Sequence, residues 1–391
     1  MFSHLFKLIW NKKKQNFLLI IEMFVSFIVL FAVFTMIVRA YSSYKQPMGF
    51  DYENVWAINF APPQNISTTD SVALFHDALK KQLQSMPQIM AVSITGSNVP
   101  FSMNTSNTQV STKEHKGVMS NVYNAGEEYL NVLNGKMIAG RWFLEGDGAS
   151  KVPVVVINRK LQEELFGGQN AIGKYIGTDA EQLKVIGVVE SMKDKGAYQA
   201  IESGLYKPVD TLFARWAGNM VVKVKPETDA AFESRLFKTL SNFIGTSIEI
   251  EHLDKKLAAK NKLSLVPMII MLIVGGFLII NVALGLFGVL WYNINKRRSE
   301  IGLRRAVGAT GSAVSWQLVG EALVLSTLAL LIGFFFAVQF PLLNVFDLPA
   351  SVYLTAIALS VLFIYLLVFL CALYPGRQAA AIYPAIALHE E

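Results

Sequence analysis

Gly168-Gln169-Asn170-Ala171-Ile172-Gly173-Lys174 has the glycine and lysine spacing of a phosphate-binding loop. In such a loop, backbone N–H groups and the lysine hold phosphates, and a Ser or Thr at the eighth position ligates Mg²⁺. Here the eighth residue is Tyr175, which cannot hold the metal. The segment follows a short helical pattern and leads into β-type sequence, so it reads as a glycine-rich turn closing a helix. The acidic pairs Glu127-Glu128 and Glu163-Glu164 read as solvated faces rather than acid/base couples. No nucleophile elbow or HExxH helix occurs in the chain. Its five histidines are scattered and its one cysteine, Cys371, lies in an apolar run, so no metal site is expected. No catalytic residue is expected either. What remains chemically notable is two carboxylates inside apolar runs, Glu22 and Glu321, and a basic segment from Asn295 to Thr310.

Four apolar runs position these residues: 17–40, 263–292, 313–340 and 352–374. Each is long enough to cross a hydrocarbon core of about 30 Å at about 1.5 Å per residue. The first is longer than the apolar part of a cleaved signal peptide, about 7–15 residues, and no small-x-small site follows it. Glu22 lies roughly one turn inside the first run and Glu321 about two turns into the third. Glu22 is placed to pair with an inner basic residue or to snorkel, and an ionisable group at the depth of Glu321 is paired or functional. Glycines at 275, 276, 285 and 288 in the second run allow close helix approach, as in a dimer.

The basic residues give orientation. Lys7 and Lys12–Lys14 precede the first run; Lys296, Arg297, Arg298, Arg304 and Arg305 lie between the second and third; Arg377 follows the fourth. With four crossings all of these share one side, which the positive-inside rule makes the cytoplasm. The segment 341–351 has Asp347 as its one charge and belongs outside. Both termini are therefore expected inside and residues 41–262 outside. The net charge of +6 is a topology signal, because acidic and basic residues nearly balance within 41–262. That balance leaves no case for a nucleic-acid partner. A cysteine-free domain of this size must fold on its own core. Residues 1–16 read as an amphipathic helix on the inner leaflet, in contact with membrane lipid.

The fold class expected is an α-helical four-crossing membrane domain, one crossing then three, with a large mixed α/β domain of two lobes. Within 41–262, strand patterns at 55–60, 89–95, 151–157, 183–189, 220–224 and 247–250 alternate with helical patterns at 70–86, 158–165 and 229–244. Strand–helix–strand units stand at both ends, around a β-rich middle from about residue 97 to 215. One lobe is thus interrupted by a second. From His252 the pattern turns helical and runs as a stalk into the second crossing, where Pro267 is placed to kink it.

The cytoplasmic segment 293–312 is too rich in helix formers for a plain loop. A short helix from Arg298 to Val307, ended by Gly308 and restarted at Thr310, puts Ile301, Arg304 and Arg305 on one face and Leu303 and Val307 on another. Basic residues beside membrane helices commonly touch anionic lipid, which accounts for Arg297 and Arg298. A structured patch that is both apolar and basic suits docking to another protein.

Lys296-Arg297-Arg298-Ser299-Glu300-Ile301-Gly302-Leu303-Arg304-Arg305-Ala306-Val307-Gly308-Ala309 resembles the segment written RxxEIGLRRAxGA in FtsX/MacB-type ABC transporter permeases. Tyr374-Pro375-Gly376-Arg377-Gln378-Ala379-Ala380, with Pro384-Ala385-Ile386-Ala387-Leu388, resembles their ending, and the false phosphate loop resembles a turn of their periplasmic domain. The layout of one crossing followed by three is similar to the MacB and LolC/LolE branch. The resemblance implies a transport subunit, not an enzyme, seated in a bacterial inner membrane with its large domain periplasmic. No Walker or signature sequence is present, so ATP and Mg²⁺ belong to a separate cytoplasmic ABC ATPase, and this chain needs no cofactor. The resemblance further implies a second permease chain, identical or different, with room for a periplasmic adaptor or carrier. Glu300, Ile301, Gly302, Leu303, Arg304, Arg305, Ala306, Val307, Gly308 and Ala309 would form the coupling helix that ATP-driven closure pushes, moving the outer domain by mechanotransmission for efflux or for lipoprotein or peptide release. The alternatives are an FtsX-like activator of a cell-wall hydrolase, which usually has a smaller outer domain, and a sensor without a motor.

Overall fold

A computed structural model describes residues 13–63, 68–112, 117–150, 152–177, 182–214 and 217–381. Most of the expected amphipathic helix at 1–16 lies outside them. The chain divides into two compact units, Ser43–Ser264 and the helical remainder on either side of it.

Among the described residues, the first unit carries one mixed sheet of eleven strands. Its first lobe begins with β1 (Val55–Phe60), α2 (Thr69–Gln84) and β2 (Ile89–Thr95), preceded by α1 (Lys13–Lys45). The second lobe follows: β3 (Asn107–Val110), β4 (Val118–Ala125), α3 (Tyr129–Val132), β5 (Met137–Gly140), β6 (Val154–Asn158), α4 (Arg159–Phe166), β7 (Tyr175–Gly177), β8 (Gln182–Val189), β9 (Gly204–Pro208) and α5 (Thr211–Ala214). The chain then returns to the first lobe with β10 (Asn219–Val224), α6 (Ala230–Ile244) and β11 (Ile248–His252).

The strand order is β11-β1-β10-β2-β4-β9-β6-β8-β5. In the first lobe β10 lies antiparallel between β1 and β2, and β1 lies antiparallel between β10 and β11. Each strand–helix–strand unit is therefore split by a strand of the other. Helices α2 and α6 cover one sheet face through Leu79, Leu83, Phe232, Leu236 and Leu240, packed on Trp56, Ile58, Met220 and Val222. Leu236 and Leu240 are fully buried, each contributing about 2 kcal/mol by removal from water. The lobes join where β2 meets β4, at the pair Thr95 and Ala125. The second lobe mixes parallel pairs, β4 with β9 and β6 with β8, with antiparallel ones. Val154–Asn158 is buried throughout, which accounts for its unbroken β-branched run.

Local chemistry sets the helix ends. Thr68 and Ser71 form a capping box for α2, Asn158 caps α4 through the Leu161 N–H at 2.9 Å, and Asp229 caps α6 through the Phe232 N–H at 2.9 Å. Gly167, at φ 59°, closes α4, and the segment leads on to β7, so the false phosphate loop is a helix-terminating turn.

The second unit holds α1 with α7 (Leu253–Lys296), α8 (Arg298–Ala306), α9 (Gly311–Leu342) and α10 (Ala350–Ala380). Four of these five, α8 excepted, are long and apolar enough to cross a membrane. Helix α7 runs on through Pro267, and α10 runs on through Pro375 to Ala380. The extension of α10 follows from packing: a Cβ on Gly376 would lie 2.8 Å from the Ser315 hydroxyl, so the glycine lets α10 close on α9. Phe27 and Phe31 of α1, Leu286 of α7, Ala322 and Ala329 of α9 and Tyr353 of α10 share one core. Gly333 admits the Phe27 ring, since a Cβ there would lie 2.4 Å from it.

Candidate functional site

The basic segment between the second and third long helices folds as α8, with its charges turned inward. Arg297 follows α7 and stands at the N-cap of α8. Its Nε donates to Glu300 Oε2 at 2.9 Å, and its Nη1 donates to Glu321 Oε2 at 2.9 Å. Arg304 Nη2 donates to Glu300 Oε1 at 2.7 Å, and its Nη1 to Gln317 Oε1 at 2.8 Å. Gln317 Nε2 donates to Glu321 Oε1 at 3.1 Å. These five side chains close a ring of charge-assisted hydrogen bonds joining α8 to α9. The Glu300 hydrogen bond, with the Glu321 charge behind it, pushes the Arg297 guanidinium above its ordinary range. Arg305 donates to the carbonyl of Ala380, which ties the far side of α8 to the end of α10.

The apolar residues of α8 divide by face. Ile301 is buried against Ile294, Val314, Leu318 and Ala379, with Ala309 packed alongside, and Gly302 is buried too. Leu303 is 55% exposed and Val307 83% exposed, and Ala306 and Gly308 are exposed beside them. Positions 303, 306 and 307 share one helical face. Gly308, at φ +104°, turns the chain, and Thr310 caps α9 through the Ala313 N–H at 3.3 Å.

Of the candidate residues, Glu300, Arg304 and Glu321 meet in one network, while Leu303, Ala306 and Val307 point away from it. Glu22 lies elsewhere: its carboxylate sits against Gly285, where a Cβ would be 2.3 Å from Oε1. Gly285 therefore serves contact with α1 inside this chain, and Gly275 likewise faces Val33, whereas Gly276 and Gly288 meet nothing within 4 Å. Sequence reasoning left Arg297 to the lipid and passed over Gln317. Gln317 stands four residues before Glu321, a spacing that puts both on one face. The pairing of Arg297 with Glu321 needs α9 to fold back on α7, which no local pattern encodes.

In the α/β unit, a cleft of about 710 Å³ lies on the sheet face away from α2 and α6, lined in part by Asn59, Met103, Asn219, Glu249, Glu251 and Lys256. Glu251 accepts from Asn59 Nδ2 at 3.0 Å and from Lys256, so its charge is already met. Among the described residues no group of His, Cys, Asp and Glu could hold a metal ion.

Comparison with known proteins adds to this geometry. The MacB-like periplasmic core domain matches residues 17–236, and the FtsX-like permease C-terminal domain matches residues 272–384. The chain is 27% identical over 237 residues to the macrolide export ATP-binding/permease protein MacB of Neisseria meningitidis, an overlap of 57% of this chain and 35% of that one. It thus spans about a third of the length of such relatives. It is 22% identical over 272 residues to an uncharacterized ABC transporter permease, YknZ, of Bacillus subtilis, covering 67% of this chain and 68% of that one. The solved periplasmic region of MacB from Actinobacillus actinomycetemcomitans aligns with 55% of this chain and 95% of its own, at 20% identity and a TM-score of 0.38. With four membrane-length helices and a core-domain match over more than half its length, the chain belongs to the ABC transporter permeases that carry a MacB-like periplasmic core domain and an FtsX-like C-terminal domain.

Proposed function

We propose that this chain is a permease subunit that couples ATP hydrolysis on a separate cytoplasmic ABC ATPase to movement of its periplasmic α/β domain. Both termini and α8 lie in the cytoplasm, and residues 43–264 lie across the inner membrane in the periplasm. The observation that carries the reading is α8 itself. Its Glu300 and Arg304 are spent on the ring with α9 and its Arg305 on the end of α10, so it is held firmly, and it presents Leu303 and Val307 to a partner. A helix held this way passes on a push instead of absorbing it. The ATPase fits the exposed apolar pair, and the bound arginines position the helix rather than touch the partner. A second permease chain fits α7, of which 6% of the most apolar window is buried, against 33% in the other three long helices. The cargo is an amphiphile to be exported, or a lipoprotein or peptide to be released from the membrane. Macrolide export, in the name of the relatives, is one instance of the first.

The test is purification of the full chain from its native cell in nanodiscs, with mass spectrometry of what accompanies it, beside Leu303→Asp/Val307→Asp. The expected result is an ABC ATPase with the wild type, lost at least about tenfold in the variant, as for removal of a central apolar anchor. Absence of an ATPase from the wild type under mild extraction overturns the proposal.

A further inference from the structure

Residues Ser191-Met192-Lys193-Asp194-Lys195-Gly196-Ala197-Tyr198-Gln199 connect β8 to β9. Three charges in a row suit a surface loop. Instead Lys193 is 1% exposed, Asp194 7% and Lys195 9%. Buried charges persist only where partners replace water, so the partners indicate what the loop holds.

Lys193 holds the end of α1. Its Nζ donates to the carbonyl of Ser43, in the last turn of that helix, and to the carbonyl of Gln46 at 3.4 Å. An ammonium here gives the Ser43 carbonyl, which already accepts from the Gln46 N–H at 3.1 Å, a second and charged donor, and it meets the negative end of the helix dipole. The Lys193 N–H donates to Met48 O at 2.9 Å, and the Tyr44 and Tyr198 rings stack with centroids 5.4 Å apart. The other end of the loop holds the first turns of α7. The Ala197 N–H donates to Asn261 Oδ1 at 2.9 Å, and Gln199 Nε2 donates to Ser264 Oγ at 3.1 Å. Between these ends, Asp194 accepts from the Tyr123 hydroxyl of β4 at 2.7 Å and pairs with Lys195 at 3.4 Å, while Lys195 reaches Asn98 Oδ1 at 3.2 Å.

We propose that residues 191–199 form a clasp that fastens the end of α1 and the start of α7 to β4 of the second lobe, with Lys193 as its positioning residue. The clasp stays closed during transport and delivers the movement of both membrane helices to one point of the α/β domain. This inference rests on the mechanotransmission reading above and adds where the force enters. Nothing in it requires Lys193 to touch cargo.

The test uses the full chain with its co-purifying ATPase in nanodiscs, with a Cys371→Ser background for the cross-link. Hydrogen–deuterium exchange of the α/β domain is compared with and without ATP, beside the hydrolysis rate. In Lys193→Met, hydrolysis is expected to persist while the ATP-dependent difference in exchange falls at least about fivefold, the lower end of ordinary coupling. Lys193→Arg, which keeps a donor toward Ser43, should restore it, and Lys184→Met at an exposed site on β8 should behave as wild type. A Tyr44→Cys/Tyr198→Cys cross-link should form without nucleotide and leave the difference intact. Full retention of the difference in Lys193→Met, or its loss on cross-linking, overturns the clasp. Were Lys193→Met not to fold, the cross-linked form alone decides. A wild type without any ATP-dependent difference overturns mechanotransmission itself, and the cross-link yield then decides whether the clasp exists as a structure.

Discussion

Arg297 is 10% exposed in its side chain and faces two carboxylates, one from its own helical turn and one from α9. Removing it leaves Glu321 in a low-dielectric setting with Gln317 as its remaining partner. Arg297→Met is therefore expected to cost about 3 kcal/mol, and Arg297→Met/Glu321→Met to recover most of that, because the charges leave together. Thermal unfolding in detergent reads both. His76 offers a separate check on the α/β unit. It is 3% exposed, its Nε2 meets the Ala214 carbonyl at 3.0 Å, and its Nδ1 has no partner among the described residues. Burial pushes its pKa below the ordinary 6.5. The unfolded chain then binds the proton more readily than the folded one, so stability falls as pH drops from 6.5 through the lowered value. His76→Gln should show a smaller loss of melting temperature between mildly alkaline and mildly acid buffer than the wild type.

Elements are held by a few end residues whose worth differs with their surroundings. Asp229 caps α6 through one hydrogen bond, and Asp229→Ala should cost about 1 kcal/mol, a fall of roughly 3 °C in a domain of this size. Asn158 caps α4 but also accepts from the Gly204 N–H at 3.0 Å and donates to Glu202 O at 2.8 Å, and it is 3% exposed. Asn158→Ala strands buried groups of β9 as well as the helix end, so about 2–3 kcal/mol is expected. A cap scan by differential scanning calorimetry that ranks Asp229 above Asn158 would contradict this. The same logic applies to α8: a helix of nine residues is too short to persist alone, and its contacts to α9 and α10 supply what length does not.

For the whole molecule, the proposed topology requires residues 43–264 and α8 to face opposite sides of the membrane. In a Cys371→Ser background, Glu145→Cys should react with an impermeant maleimide in intact spheroplasts, and Leu303→Cys only after lysis. Both positions are exposed in the chain alone, and the lysed arm is read on chain stripped of its ATPase, so neither burial nor a bound partner confounds the comparison. Equal labelling of the two in intact spheroplasts would contradict the orientation. The two-lobed sheet also has a mechanical consequence. Its lobes meet at β2 and β4 through the pair Thr95 and Ala125 and the flanking Gly96 N–H to Asn124 O and Gly126 N–H to Ile94 O bonds. Val55, Ala57 and Val221 of the first lobe share a core with Tyr123 and Tyr129 of the second, while the 191–199 loop binds α1, α7 and β4 through several hydrogen bonds. Under the clasp proposed above, force entering at the loop reaches β4 of the second lobe directly and passes to the first lobe through that join.

Hydropathy and periodicity by themselves determined the four long helices, the split first lobe and the segment that becomes α8. The reason is that a membrane-length apolar run, the alternation in Val55–Phe60 and the spacing of Phe232, Leu236 and Leu240 are local properties, written in adjacent residues. Short strands such as Asn107–Val110 and Gly204–Pro208 were hidden within the β-rich middle, because their partners lie far along the chain and their own residues are polar or mixed. Which charges are free was likewise decided by tertiary structure. Lys193, Arg297 and Arg304 look like solvated bases in sequence, and each is bound because a distant element brings a carbonyl or carboxylate to it. Leu303 and Val307 are left exposed on α8 by the same packing. The folding back of α9 and α10 consumes the charged face of that helix and leaves its apolar pair for a partner.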